Sequence, residues 1–414
     1  MKQIYLYIIV IAAGICSCKK SEIEQPLKTI DSNLVHTIPI PHDLAKRMEG
    51  IYTLADGDQG LGAQFVCLVS KNKVSFFSNK DGIYIILQYG FNPADSSIRF
   101  AGFWRYSEST DQGLIEFTVQ AIRGGSEFMS TGIVSRMELT GRFWTGNDPK
   151  VIILRYNRAF TDYALAHEFM IFAHHGVQTD DNPPYTENSL NGVLHDEDYG
   201  VNGLEFDVHL THDHIPICVH DADIQTRVTK KSPISGDYNQ YDYDMIDSLV
   251  QLTDGQKVPS VEEVLNAFVD STTLHYMWLD IKGDPGIFEY LDTIVRRAYA
   301  RAAESNRDIV IISDLTSAEV VSEFKAWPSY ASLPTLCEIS LDDAINNHCQ
   351  YWGPRYTLGL LTDQVQKAHS LGIKVLSWTL DDKTLIHDYL LNGNFDGFIS
   401  DYPAYVVYDY YTMF

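Results

Sequence analysis

Two rhythms of apolar and polar positions divide the chain. From about residue 46 to 160, short apolar-rich runs recur between clusters of Gly, Asp and Asn: "GIYTL", "QFVCLVS", "KVSFFSN", "IYIILQYG", "SIRFAGFWRYS", "LIEFTVQAI", "SRMELTGRFW" and "VIILRYN". About eight strands at hairpin spacing predict an all-β antiparallel meander, closed as a barrel or folded as a sandwich, over residues 46–164. Beyond residue 165 strands alternate with helical segments. "FMIFAHHG", "GLEFDVHL", "HYMWLDIKG", "DIVIISDL", "PTLCEIS", "IKVLSWTLDD" and "FDGFISDYP" read as strands, and "PSVEEVLNAFVD", "IFEYLDTIVRRAYARAAES" and "TDQVQKAHSLG" as helices. Repeated β-then-α units over residues 165–414 match the length of an α/β TIM barrel. The doubly wound alternative lacks its Gly-rich dinucleotide turn after the first strand. Because period and turn chemistry change near residue 165, the two parts are expected to be separable domains.

The first residues, "MKQIYLYIIVIAAGICSCKK", form an apolar run too short for a typical spanning helix, followed by small residues. This predicts a signal peptide over residues 1–17. Its ending "ICSC" resembles the lipobox of bacterial lipoproteins, which implies cleavage before Cys18, lipidation of its thiol and an exported, membrane-anchored protein of the bacterial cell envelope. Residues 18–45, polar and proline-containing, then read as a flexible tether. Of the remaining cysteines, 67, 218, 337 and 349, none forms a ligand-like CxxC. They read as buried thiols, with Cys337 and Cys349 the pair that a disulfide could join. With 45% apolar and 21% charged residues the composition is that of a globular protein. The formal charge of -24 argues against nucleic acid and anionic membrane surfaces as partners. An anionic substrate must therefore be held by local positive charge or a metal.

The ionisable groups concentrate in "NGLEFDVHLTHDHIPICVHD", residues 202 to 221. Side chains two apart on a strand share a face, so Glu205, Asp207 and His209 project together. A turn about Asp213 folds the chain back and sets His220 roughly opposite Glu205 and Phe206. Paired carboxylates repel unless a cation neutralises them. Oxygen ligands favour calcium or magnesium, while a solvated strand face accounts equally for the spacing. The density of histidines admits a softer metal such as zinc at His209, His212 and His214, although turn chemistry explains "THDH" as well.

The order "AHHG", "YTENS", "GLEFDVHLTHD", "PICVHD", "TRVT", "VPSVEEVL", "LDIK", "VLSWTLDD" and "FDGFISDYP" resembles the glycerophosphodiester phosphodiesterase family, in the superfamily of phosphatidylinositol-specific phospholipases C, across nearly all of residues 170–403. The resemblance implies a TIM barrel that cleaves a phosphodiester next to a polyol with a divalent cation and two histidines. It assigns His174 and His220 as the catalytic pair and Glu205 and Asp207 as metal ligands. Asp280 stands where the family usually has a Glu ligand, and Lys282 where a lysine holds the phosphate. His175 occupies the place of a phosphate-binding Arg, so a bidentate clamp is replaced by a group mostly neutral near pH 7. Asn188 is expected near the pocket with Glu187 supporting it, and Trp378 as a stacking platform for the polyol. Arg227 reads as a charge that offsets the lost arginine or equally as a surface charge.

Three functions follow as expectations: metal-dependent hydrolysis of small glycerophosphodiesters, phospholipase C-like cleavage of inositol phosphodiesters, or a binding protein on a barrel that has lost turnover through His175 and Asp280. Retention of both histidines, both strand carboxylates and the lysine favours an enzyme.

Overall fold

The computed structural model describes residues 31–146, 148–177 and 185–414. The expected signal peptide 1–17, Cys18 and the first part of the expected tether lie outside them. No helix among the described residues is long and apolar enough to cross a membrane.

Eight antiparallel strands close a first barrel: β1 (Gly50–Asp56), β2 (Gln64–Val69), β3 (Lys73–Phe77), β4 (Tyr84–Asn92), β5 (Ser97–Arg105), β6 (Gln112–Val119), β7 (Glu138–Thr145) and β8 (Asp148–Arg158). Each strand pairs with the next, and β8 returns to β1. Alternate residues point inward, and Tyr52, Phe65, Phe76, Ile85, Phe100 and Phe117 pack against one another there. Its interior is thus a packed core. A helix, Gly125–Thr131, interrupts the meander between β6 and β7 and buries Phe128.

The second body is a parallel barrel of β9 (Met170–Ala173), β10 (Gly203–Leu210), β12 (Tyr276–Ile281), β13 (Val310–Leu315), β14 (Thr335–Cys337), β15 (Tyr351–Trp352), β16 (Lys374–Ser377) and β17 (Gly397–Ser400), closed by β17 and β10 on either side of β9. A short antiparallel strand, β11 (Pro216–Cys218), folds back on β10. This is the TIM barrel the alternation predicts. Two-residue β15 is too short to show a pattern in sequence. The three expected helices form as α1 (Val261–Ser271), α2 (Ile287–Glu304) and α3 (Thr362–Ser370). Ser260 and Glu263 cap α1 reciprocally. Ile287, Leu291, Val295, Ala298 and Ala302 give α2 the three-and-four spacing that buries one face. Phe172, Tyr276, Trp278, Ile312, Leu336 and Leu376 fill the barrel below its functional end.

An apolar seam joins the two barrels. The outer face of the first barrel is itself hydrophobic: Ile51, Val66, Phe77, Tyr84, Ile86 and Phe103 share one buried cluster with Tyr199 and with the last helix, α4 (Pro403–Met413). Gly200 sits in the seam at φ +80, where a Cβ would lie 3.0 Å from both Leu68 and Val407. Tyr84 meets Tyr199 edge-on at 5.0 Å. Asp198 binds Lys73 and, at 2.7 Å, Ser70, and Tyr405 donates to Glu108. Separability therefore meets an apolar interface rather than a linker.

The expected tether also ends earlier than residue 45. Asn33 Nδ2 donates to the carbonyls of Phe100 and Phe117, Ile38 pairs with Phe91, and Ile40, Ala45 and Met48 enter the core of the first barrel. Sparse apolar residues in a polar segment find a partner that local periodicity does not reveal. Cys67, Cys218, Cys337 and Cys349 are buried free thiols, so no disulfide joins Cys337 to Cys349.

Candidate active site

Strand register assembles the site. Asp207 and Asp280 are direct partners across β10 and β12. Leu204 pairs with Ala173, so the next residue on each strand sets His174 beside Glu205; Ser400 likewise pairs with Ala173, which brings Asp401 beside His174. In the β10–β11 hairpin Val208 faces Cys218, and two residues further the same register carries His220 to the level of Phe206, as the turn about Asp213 predicts. A cavity of about 510 Å³ opens at the carboxyl ends of the parallel strands. His174, His175, Glu205, His220, Asp280, Lys282, Glu338, Arg355 and Trp378 line it. Asp207 lies beneath, fully buried.

Each imidazole is held differently. His174 Nδ1 is 2.7 Å from Asp401 Oδ1. Burial alone would lower its pKa, but Asp401, with Glu205 and Asp207 behind it, holds His174 up at about 9. Its ring is charged near pH 7. Burial and the adjacent His174 push His175 down to about 4, so this ring is neutral and cannot supply the charge of an arginine clamp. His220 Nδ1 sits 3.0 Å from Asp221, which accepts at 2.9 Å from Arg227. Arg227 also clasps Glu187, so the residue kept apart as a surface charge ties the "TENS" loop to the His220 hairpin.

Asn188 is a buried bracket. At φ 54 its side chain donates to Asp207 Oδ2 at 2.7 Å and accepts the Asp207 N–H at 2.9 Å, while its own N–H donates to the His175 carbonyl at 2.8 Å. It fixes one carboxylate rather than simply lining the pocket. Trp378 donates to the Gly353 carbonyl at 2.8 Å, and the Arg355 guanidinium lies 4.5 Å from its ring centre. The imidazoles expected as a zinc trio diverge. His209 pairs with Asp284, His212 with Asp242, and His214 stacks on Tyr290, so that site does not form.

Three carboxylates converge: donor oxygens of Glu205, Asp207 and Asp280 lie within 4.8 Å of one another. Glu205 Oε1 and Asp280 Oδ1 are out of solvent contact without hydrogen-bond partners among the described residues. Lys282 Nζ approaches Asp207 Oδ1 at 2.6 Å and Asp280 Oδ2 at 2.7 Å. Burial, and then Asp207, raise Glu205 well above the carboxylate range; burial raises Asp280 despite Lys282. Burial opposes ionisation of Asp207 too, but the charge and hydrogen bond of Lys282 hold it low. One ammonium does not balance three acids, and the unpartnered oxygens fit a hard dication.

Asp401, Glu338 and Arg355 received no role from the sequence. Asp401 and Glu338 directly follow a parallel strand, in "ISDYP" and "CEIS", and Arg355 comes three residues after one, in "GPR", which was their available signal. Glu338 faces Asp314 behind Asp280, and burial above all lifts Glu338 to about 8.

A parallel barrel thus carries an acid trio and paired imidazoles at its carboxyl end. The model of the glycerophosphoryl diester phosphodiesterase family matches residues 174–405, more than half of the chain, which makes the protein a phosphoric diester hydrolase, and the chain belongs to that family. It is 22% identical over 249 residues to a glycerophosphodiester phosphodiesterase of Caldanaerobacter subterraneus subsp. tengcongensis, covering 58% of this chain and 96% of that protein. Among solved structures it is similar to a glycerophosphodiester phosphodiesterase from Parabacteroides distasonis at 21% identity, with 60% of this chain and 98% of that one covered and a TM-score of 0.48. An Oleispira antarctica phosphodiesterase, solved in complex with the product sn-glycerol-3-phosphate, is 19% identical, with 59% and 97% covered and a TM-score of 0.45. The antiparallel barrel lies outside the family match.

Proposed function

We propose that the chain hydrolyses glycerophosphodiesters to an alcohol and glycerol phosphate, with His174 and His220 moving the protons. The observation that carries this reading is His174 held as its conjugate acid by Asp401 beside Glu205 of the buried acid trio. Glu205, Asp207 and Asp280 would hold calcium or magnesium, which supplies charge neutralisation for the phosphodiester. Asn188 fixes Asp207 from behind, and Lys282 adds a cation at the same wall. His174 donates a proton to the leaving oxygen. His220, braced by Asp221 and Arg227 at the cavity mouth, accepts one from the attacking hydroxyl, whether water or a neighbouring hydroxyl of the polyol. Trp378 and Arg355 offer a face for the polyol arm. The leader sequence supports export and a lipid anchor on Cys18, which would keep this chemistry at a membrane surface of the cell envelope.

The deciding experiment assays the purified chain on glycerophosphodiesters and inositol phosphodiesters with calcium, magnesium, zinc or chelator. Turnover of glycerophosphodiesters that a chelator abolishes is expected. Preference for inositol diesters would move the reading to phospholipase C-like cleavage, and no turnover on any diester to a binding protein. The division of activity between membrane and soluble fractions tests the anchor.

The acid role gives a pH prediction. A group raised by its partner stays protonated up to its raised pKa, so kcat/KM should hold through neutrality and fall on an alkaline limb near pH 9. Asp401→Asn removes the stabilising carboxylate and should shift that limb toward about 6.5, the ordinary histidine value. An unmoved limb in this variant would remove His174 as the acid.

A further inference from the structure

His175, Asp207 and His220 form a second cluster beside the oxygen trio. One donor atom from each lies within 4.8 Å of the other two. Asp207 belongs to both groups, and its two oxygens face different ways. Oδ1 points toward Lys282 at 2.6 Å, and Oδ2 lies 3.5 Å from His175 Nε2.

The His175 ring is positioned rather than free. Its backbone adopts φ 53, its N–H donates to Glu205 Oε2 at 2.7 Å, and its carbonyl accepts from Asn188. These contacts turn the ring inward, 5.0 Å from the His220 ring. No described residue takes up its ring nitrogens in a hydrogen bond. His220 remains 43% exposed at the cavity, so the space between the two rings is open to small ions. A left-handed non-glycine backbone is sparsely populated, and here it aims an imidazole at a carboxylate and a second imidazole.

Two imidazoles and one carboxylate are a nitrogen-rich donor set. Such sets select borderline dications of the zinc class over calcium and magnesium, which prefer oxygen alone. Arginine at position 175 would have no lone pair to offer. We propose that His175, Asp207 and His220 form a site for a zinc-class dication, distinct from the oxygen trio and coupled to it through Asp207. Resting on the proposed role of His220, the site is inhibitory: an ion that takes the His220 lone pair removes that ring from proton transfer. The shared carboxylate makes the two sites oppose each other.

The test is zinc binding to the purified chain, read by equilibrium dialysis in excess magnesium, with cobalt(II) as a coloured substitute. His175→Asn is the chief variant because Asn tolerates the left-handed backbone, and His175→Arg is the second. One zinc per chain is expected, weakened at least about a hundredfold in both variants. The visible cobalt band of nitrogen ligation should disappear with it. Glu205→Gln, outside the cluster, should keep zinc affinity within about threefold. Absence of zinc binding, full binding in both His175 variants, or equal loss in Glu205→Gln would each overturn the site. These readouts are independent of turnover, so they stand or fall apart from the glycerophosphodiesterase reading. Where turnover is measured, zinc should suppress it in the parent chain far more than in His175→Asn. Equal fractional suppression would overturn the inhibitory role.

Discussion

Glu205→Gln and Asp207→Asn should each lower metal-dependent turnover by about a thousandfold or more, the scale of losing a principal electrostatic contributor, yet affect the fold in opposite directions. Glu205 Oε1 has no hydrogen-bond partner among the described residues, and burial and Asp207 make its ionised form costly. A glutamine keeps the shape and an acceptor for the His175 N–H while removing that charge. The metal-free variant should therefore melt at or above the parent temperature, by about 2–4 °C for each kcal/mol of repulsion relieved. Asp207 instead faces Lys282 and is hydrogen-bonded to Asn188. Asparagine there leaves the ammonium with Asp280 alone, so its melting temperature should fall. In both variants the rise in melting temperature on adding calcium or magnesium should shrink, because binding to the native state is what produces it. Parent-like rates in either variant, together with indifference of the parent to chelators, would sink the acid trio as a metal site.

The second large effect concerns the seam. Residues 165–414 expressed alone should aggregate or unfold, although they contain the whole family match. Separation would expose Tyr405, Val407 and Tyr408 of α4 together with Tyr199. Large apolar side chains lose roughly 1.5–3 kcal/mol each on full exposure, so a handful rivals the total stability of a domain, about 5–15 kcal/mol. Co-expression with residues 31–164 as a separate chain should restore solubility if the apolar contact is the cause. A monodisperse fragment with a cooperative melt near that of the full chain would refute this dependence.

The site was more legible in sequence than the seam. Glu205, Asp207 and His220 could be brought together from strand alternation and one hairpin, because both are local rules. Asp280 and Lys282 came from the resemblance, and the β10–β12 register supplies the physical reason they belong. Asp401 escaped because its partner His174 is 227 residues away, joined only by barrel closure. Asn188 was placed near the pocket, but its bracket on Asp207 depends on a left-handed backbone that the "TENS" run does not announce. The outer face of the first barrel left one trace: Tyr84, Ile85, Ile86 and Leu87 are consecutively buried, whereas a strand with one wet face would alternate. Docking of residues 33–48 left almost none, since a single Asn and a few aliphatics decide it.

Because α4 follows every other element of the described residues along the chain, the cover of the first barrel's outer face is made well after the barrel it covers. The first barrel can close its own interior while the chain is still being made, yet its apolar flank stays bare until residues 403–413 have been synthesised. A nascent chain paused before α4 would present a sticky, chaperone-binding surface on an otherwise finished domain. The order of synthesis thus makes the first barrel wait, with one flank open to chaperones and proteases, for a helix that belongs to the other end of the fold.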